Sequence, residues 1–132
     1  MSDKKKYTVA VDFDGVIHSY TSPWVNAHTI PDLPVYGAIE WLYSTIQNFE
    51  VTIFTTRGKT WRGRRAVKQW IRRHAGHLFY EHPGMRGLED VRVTATKDAA
   101  LIYLDDRAVR FDGSNFPTAQ QVHQLRPWNK PR

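Results

Sequence analysis

Residues 9–15 read VAVDFDG: Val9, Ala10 and Val11 lead into Asp12, Phe13, Asp14 and Gly15. The apolar run begins at Tyr7 and ends in two carboxylates one residue apart, where a buried strand would meet solvent. Gly15 permits a turn there. Two crowded acids are costly unless a cation or a bound proton neutralises them. The stretch therefore reads as the end of a buried strand carrying a divalent metal with a catalytic carboxylate beside it. The competing reading is a strand followed by an ordinary acidic turn, so the decision rests on the rest of the chain.

The chain has 132 residues, of which 41% are hydrophobic, enough for a single domain with a real core. It contains no cysteine, which excludes disulfides and thiolate metal sites. No apolar run approaches a membrane span, and the lysines near the start are not followed by a long apolar stretch. A cytoplasmic protein without a membrane partner is expected. The net charge is +6, and the excess is uneven. Arg57, Lys59, Arg62, Arg64, Arg65, Lys68, Arg72 and Arg73 occur in one block without an acidic residue. Such a block suits a polyanionic partner, or else forms a solvated helix face.

Tyr7–Val11 reads as a buried strand. The Ser-, Thr-, Asn- and Pro-rich residues 16–34 read as an irregular flap. A helix is expected from Tyr36 to Phe49, where Ile39, Leu42, Ile46 and Phe49 repeat at helical spacing. Val51–Thr55 is a second strand. A further helix is expected from Thr60 to His74, with Trp61, Val67, Trp70, Ile71 and His74 as its apolar stripe and Gly76 as its end. Leu78–Tyr80, Val91–Val93, Leu101–Leu104 and Val109–Phe111 are strand candidates, with a Pro83-Gly84 loop between the first two. Lys97–Ala100 is a candidate helical turn and Ala119–Leu125 a final helix, followed by an extended or loose tail over 126–132. Strands separated by helices imply a parallel sheet covered by helices, whose sites form at the carboxyl ends of the strands.

Those ends carry the chemistry of phosphoryl transfer. The reaction needs a nucleophile, a metal to offset charge, a cation on the phosphoryl oxygens and an acid for the leaving group. Asp12 supplies a carboxylate nucleophile. Asp12, Asp105 and Asp106 offer the oxygen ligands that Mg²⁺ prefers. Lys97 is a point charge suited to phosphate, Thr55 offers a hydroxyl, and Thr56 and Arg57 follow it. Three carboxylates are balanced by Mg²⁺ and Lys97, so an incoming phosphate dianion favours a further cation, and Arg57 is the nearest candidate. Asp14 can reach the leaving oxygen if the turn brings it round.

With DFDG at Asp12–Gly15, a Thr closing the strand of VTIFTTR, Lys97, and the acidic pair of LIYLDDR in that order, the chain resembles the haloacid dehalogenase superfamily of phosphohydrolases. The resemblance covers most of residues 1–132. It implies a single three-layer Rossmann-like α/β domain with helices on both faces of the parallel sheet, a short flap after the first strand and no cap domain. It implies that Asp12 forms an aspartyl-phosphate and that Asp14 protonates the leaving group and then activates water. Thr55 and Lys97 would hold the phosphoryl oxygens. Mg²⁺ would be bound by Asp12, Asp105 and Asp106 and by the Asp14 backbone carbonyl.

Other readings fit less well. As an EF-hand, the segment would place Val16 and Pro23 where ligands are required. A response-regulator receiver places its acidic pair early and its Lys late, the reverse of the order here. A non-catalytic phosphate- or metal-binding domain remains an alternative. The gap from Gly15 to Tyr36 fits a flap and little more, and the gap from Gly58 to Thr96 is filled by the basic helix and strands. An open site beside a basic helix points to a nucleotide or a nucleic-acid terminal phosphate, with a small sugar or metabolite phosphate as the alternative. A weaker likeness to the 3′-phosphatase domain of polynucleotide kinases rests on TTRG and LDDR. A homo-oligomer is a further possible partner. Among the histidines, His18 is expected to be a loop residue near the first motif, and Tyr20 and Trp24 either stack on a base or fix the flap.

Overall fold

The computed structural model describes residues 7–76, 78–79 and 85–129. Its centre is one all-parallel sheet of four strands, β1 (Thr8–Asp12), β2 (Glu50–Phe54), β3 (Val91–Thr94) and β4 (Ile102–Leu104), in the order β3-β2-β1-β4. Helix α1 (Ala38–Ile46) lies between β1 and β2 in the chain, and α2 (Trp61–Ala75) between β2 and β3. A 3₁₀ turn at Thr56–Lys59 joins β2 to α2, and α3 (Ala119–Gln124) follows β4. The α/β class is as the sequence implies.

The register explains where the core sits. Val11 lies beside Ile53, and Ile53 beside Val93, so these residues share one face of the sheet. Leu42 and Ile46 of α1 and Val67, Trp70 and Ile71 of α2 join them in a single buried cluster. Both helices are amphipathic with their apolar stripes turned to that face. Trp61, expected in the α2 stripe, is instead 63% exposed. The inward position at that end belongs to Gly63, where a Cβ would sit 1.9 Å from the Arg57 carbonyl oxygen. The Thr60 side chain caps α2, accepting from the Gly63 N–H at 3.1 Å.

On the other face Ala10 lies beside Thr52 and Tyr103, and Thr52 beside Arg92. The segment after β3 is tied to this face through Asp98. Its carboxylate takes Arg92 Nη1 at 2.5 Å, and its carbonyl accepts from the Tyr103 hydroxyl. This segment is not helical, contrary to the turn expected over Lys97–Ala100, because Asp98 spends its groups on the sheet.

Val109–Phe111 forms no strand, and Leu78 and Phe79 lie in a turn. Tyr80 and the Pro83-Gly84 loop fall outside the described residues. The tail is docked as far as Asn129 rather than loose. Trp128 Nε1 donates to the Gly15 carbonyl at 2.6 Å, and Asn129 Nδ2 donates to the carbonyls of Ser19 and Tyr20 at 2.7 and 3.0 Å. The side chains of β4 and α3 are all exposed. Among the described residues no helix is long and apolar enough to cross a membrane.

Candidate active site

The carboxyl ends of β1 and β2 and the residues after β4 open onto a cavity of about 280 Å³. Asp12, Asp14 and Asp105 line it, together with Thr55 and Thr56. Parallel strands end at this edge of the sheet, and that is why residues far apart in sequence meet here.

Asp12, Asp105 and Asp106 each present a carboxylate oxygen, and these oxygens lie within 4.8 Å of one another. Gly15 makes room for the third acid. It has φ +90°, and a Cβ there would lie 2.2 Å from Asp106 Oδ2. Asp106 Oδ1 is buried and accepts no hydrogen bond from the described residues. The Asp12 carboxyl is pushed up to about 8 from an ordinary 3.8, first by burial, then by the charge of Asp105 and a hydrogen bond with Asp106. The Phe13 N–H, 2.8 Å from Asp12 Oδ1, offsets only part of this. An orphaned buried oxygen and an acid that resists ionising both describe a cluster short of positive charge. An all-carboxylate donor set suits a hard divalent cation, and this triad can hold one.

Asp14 is in a different environment. Arg57 Nε reaches its two oxygens at 3.1 and 2.9 Å, and His18 Nδ1 lies 2.8 Å from Oδ1. The Asp32 N–H donates to His18 Nε2 at 3.0 Å, so Nε2 is an acceptor and the neutral ring carries its proton on Nδ1, facing Asp14. Burial acts to raise the Asp14 carboxyl, but the bonds from His18 and Arg57 outweigh it and hold it below the ordinary range. Asp14 therefore ionises more readily than an ordinary carboxyl, and Asp12 less readily. His18 is fully buried, stacked on Phe13 and edge-on to Trp70.

Two residues expected to hold phosphate, Arg57 and Lys97, are not among those that line this cavity. Arg57 is 1% exposed. Its Nε is taken by Asp14, and its Nη1 donates to the carbonyls of Asn26, Ala27 and Thr29 at 3.0, 3.1 and 3.0 Å. Trp24 covers it, with the guanidinium carbon 4.5 Å from the ring centre. Arg57 thus clamps the flap to the first motif, with Nε and Nη1 both engaged inside the protein. Lys97 is exposed and sits over the ring of Tyr103, with Nζ 4.9 Å from its centre. The structure does not bring it to the cavity wall.

The cations that do line the cavity are Lys59 and Arg107. In the sequence Lys59 stands in the basic block and Arg107 closes LDDR, and neither carries a motif role. Their distance from the strand ends, four and two residues after Thr55 and Asp105, was the available signal. Thr55 lines the cavity. Its Oγ1 accepts from the Arg57 N–H at 3.2 Å, which leaves its own proton to donate. Tyr20 and Trp24 also line the cavity, so Trp24 both covers Arg57 and faces the site.

Comparison of the chain with protein-family models, with curated proteins and with solved structures finds no match.

Proposed function

We propose that the protein is a cytoplasmic Mg²⁺-dependent phosphohydrolase of the haloacid dehalogenase type, acting on the terminal phosphate of a nucleotide or nucleic acid. The observation that carries the reading is the meeting of Asp12, Asp105 and Asp106 with Asp14 and Thr55 at one end of a parallel sheet. The sheet is read as the centre of a capless three-layer domain. Homo-oligomerisation belongs to the same reading and rests on the exposed apolar residues Ile102, Tyr103 and Leu104 at the sheet edge.

Asp12, Asp105 and Asp106 would hold the metal, with the Asp14 carbonyl as a further ligand. When bound, the metal offsets the negative charge of the phosphoryl oxygens. Asp12 attacks phosphorus, the bond to the leaving oxygen breaks, and an aspartyl-phosphate forms. Water then attacks the same phosphorus and the Asp12 ester bond breaks, returning the carboxylate. Thr55 donates to a phosphoryl oxygen, and Lys59 and Arg107 supply the positive charge first assigned to Lys97 and Arg57. Asp14, ionised at rest, takes the proton of that water. To give a proton to the leaving oxygen in the first half it must first be raised, and the phosphate dianion entering beside it acts in that direction.

Phosphate release from nucleotides, phosphorylated oligonucleotides, sugar phosphates and p-nitrophenyl phosphate, with Mg²⁺ and with chelator, tests the reading. Metal-dependent release that Asp12→Asn abolishes is expected. Fastest turnover of sugar phosphates would select the small-metabolite alternative. Metal binding with no turnover on any substrate would leave a binding domain.

A further inference from the structure

Beside the catalytic cavity lies a second one, of about 290 Å³, formed by His28 of the flap and by Trp61, Arg62, Arg65, Ala66 and Gln69 of α2. Nothing in the phosphoryl-transfer chemistry uses it. Arg62 and Arg65 are exposed, and neither makes an ion pair or a side-chain hydrogen bond among the described residues. Trp61 stands out at the start of the helix although its apolar neighbours Val67, Trp70 and Ile71 are buried. Arg62, Arg65, Gln69 and Arg72 follow one another at steps of three and four, which sets them along one face of α2 for about 15 Å. Next to this face the Lys68 ammonium is lowered by burial and then by the charge of Arg72, while Glu89 and Asp90 act in the opposite direction.

We propose that this surface is a second binding site, which takes the chain of a single-stranded nucleic acid whose terminal phosphate lies in the Asp12 cavity. The proposal rests on the phosphohydrolase reading for that terminal phosphate. The two cavities have no lining residue in common, but their linings are close neighbours along the chain. Lys59 lines the first and Trp61 the second, and Trp24 and His28 belong to the flap segment clamped by Arg57. A strand leaving the catalytic cavity thus meets Trp61, on which a base can stack, and then two unpaired guanidinium groups that match its phosphates. A membrane surface would need an exposed apolar helix face, and that of α2 is already spent on the core. An acidic protein would not account for the place of Trp61 two residues after Lys59 of the catalytic cavity.

Fluorescence anisotropy of a labelled single-stranded oligothymidylate, measured with chelator present so that nothing turns over, tests this. Arg62→Ala/Arg65→Ala should weaken binding about tenfold and reduce the slope of log affinity against log salt by about 1.4. Trp61→Ala should weaken it by about tenfold, and Trp61→Phe should restore most of the loss. An unchanged affinity and salt slope in the double variant would overturn the proposal. So would preferential competition by vesicles of anionic lipid, or no binding by the unaltered protein. Release of phosphate from p-nitrophenyl phosphate, followed in parallel, separates the two ideas. Its absence with strand binding intact sinks the phosphohydrolase reading alone, and its presence with no effect of the double variant sinks the second site alone.

Discussion

Removing the Arg57 guanidinium would leave the Asp14 carboxylate and three flap carbonyls without their shared partner inside the protein. Breaking a buried pair in this way costs about 3 kcal/mol, so Arg57→Ala should show a correspondingly lower free energy of urea unfolding. Arg57→Lys should recover little, because an ammonium cannot span Asp14 and the carbonyls with one planar group. A loss within about 0.5 kcal/mol, as for an ordinary surface residue, would remove the clamp from the account. Asp14 supplies a second residue-scale prediction. Its lowered pKa suits base catalysis at rest, and its role as acid matters most for poor leaving groups. Asp14→Asn should therefore slow alkyl phosphates at least about tenfold more than p-nitrophenyl phosphate. Equal losses on both substrates would deny Asp14 the acid step.

At the scale of elements, the strand ends decide which cation meets phosphate. Lys59 comes from the 3₁₀ turn after β2 and faces the cavity, whereas Lys97 leaves β3 toward the other face and covers Tyr103. Lys59→Ala should lower kcat/KM about tenfold or more, and Lys97→Ala should change it less than about threefold, a loss that corresponds to under 1 kcal/mol. The reverse order would restore the expectation drawn from motif order alone. The sequence made the strands and the amphipathic helices legible because both rest on local periodicity, as Leu42, Ile46, Val67 and Ile71 show. It made Asp12, Asp105 and Asp106 legible because strand exits in a parallel sheet converge. It did not disclose the direction of Lys97, which depends on Asp98 tying its segment to Arg92 and Tyr103 across the sheet face. Nor did it disclose the burial of Arg57, whose carbonyl partners lie 28–31 residues earlier in a flap without regular structure. The exposure of Trp61 was hidden for a similar reason, since hydrophobic spacing alone cannot show that Gly63 takes the inward place.

For the molecule as a whole, the acid cluster links stability to pH and to metal. The Asp12 carboxyl is raised in the folded state to about 8, from an ordinary 3.8 in the unfolded chain. The folded protein then holds a proton that the unfolded chain has lost, so the metal-free protein is expected to lose stability as pH rises between those two values. A divalent cation replaces that proton, and its stabilising effect should grow with pH. Thermal melting at about pH 6 and about pH 8.5, with Mg²⁺ and with chelator, checks this. The upward shift produced by Mg²⁺ should be larger at the higher pH, and a shift that is absent or independent of pH would speak against metal at Asp12.

The central claim is that Asp12 carries the phosphoryl group. Rapid acid quenching during turnover of a phosphomonoester with Mg²⁺, followed by peptide mass spectrometry, tests it most directly. The account predicts one added phosphoryl group on the peptide that contains Asp12, and none in Asp12→Asn. Phosphate release with no such adduct, together with turnover retained in Asp12→Asn, would contradict it.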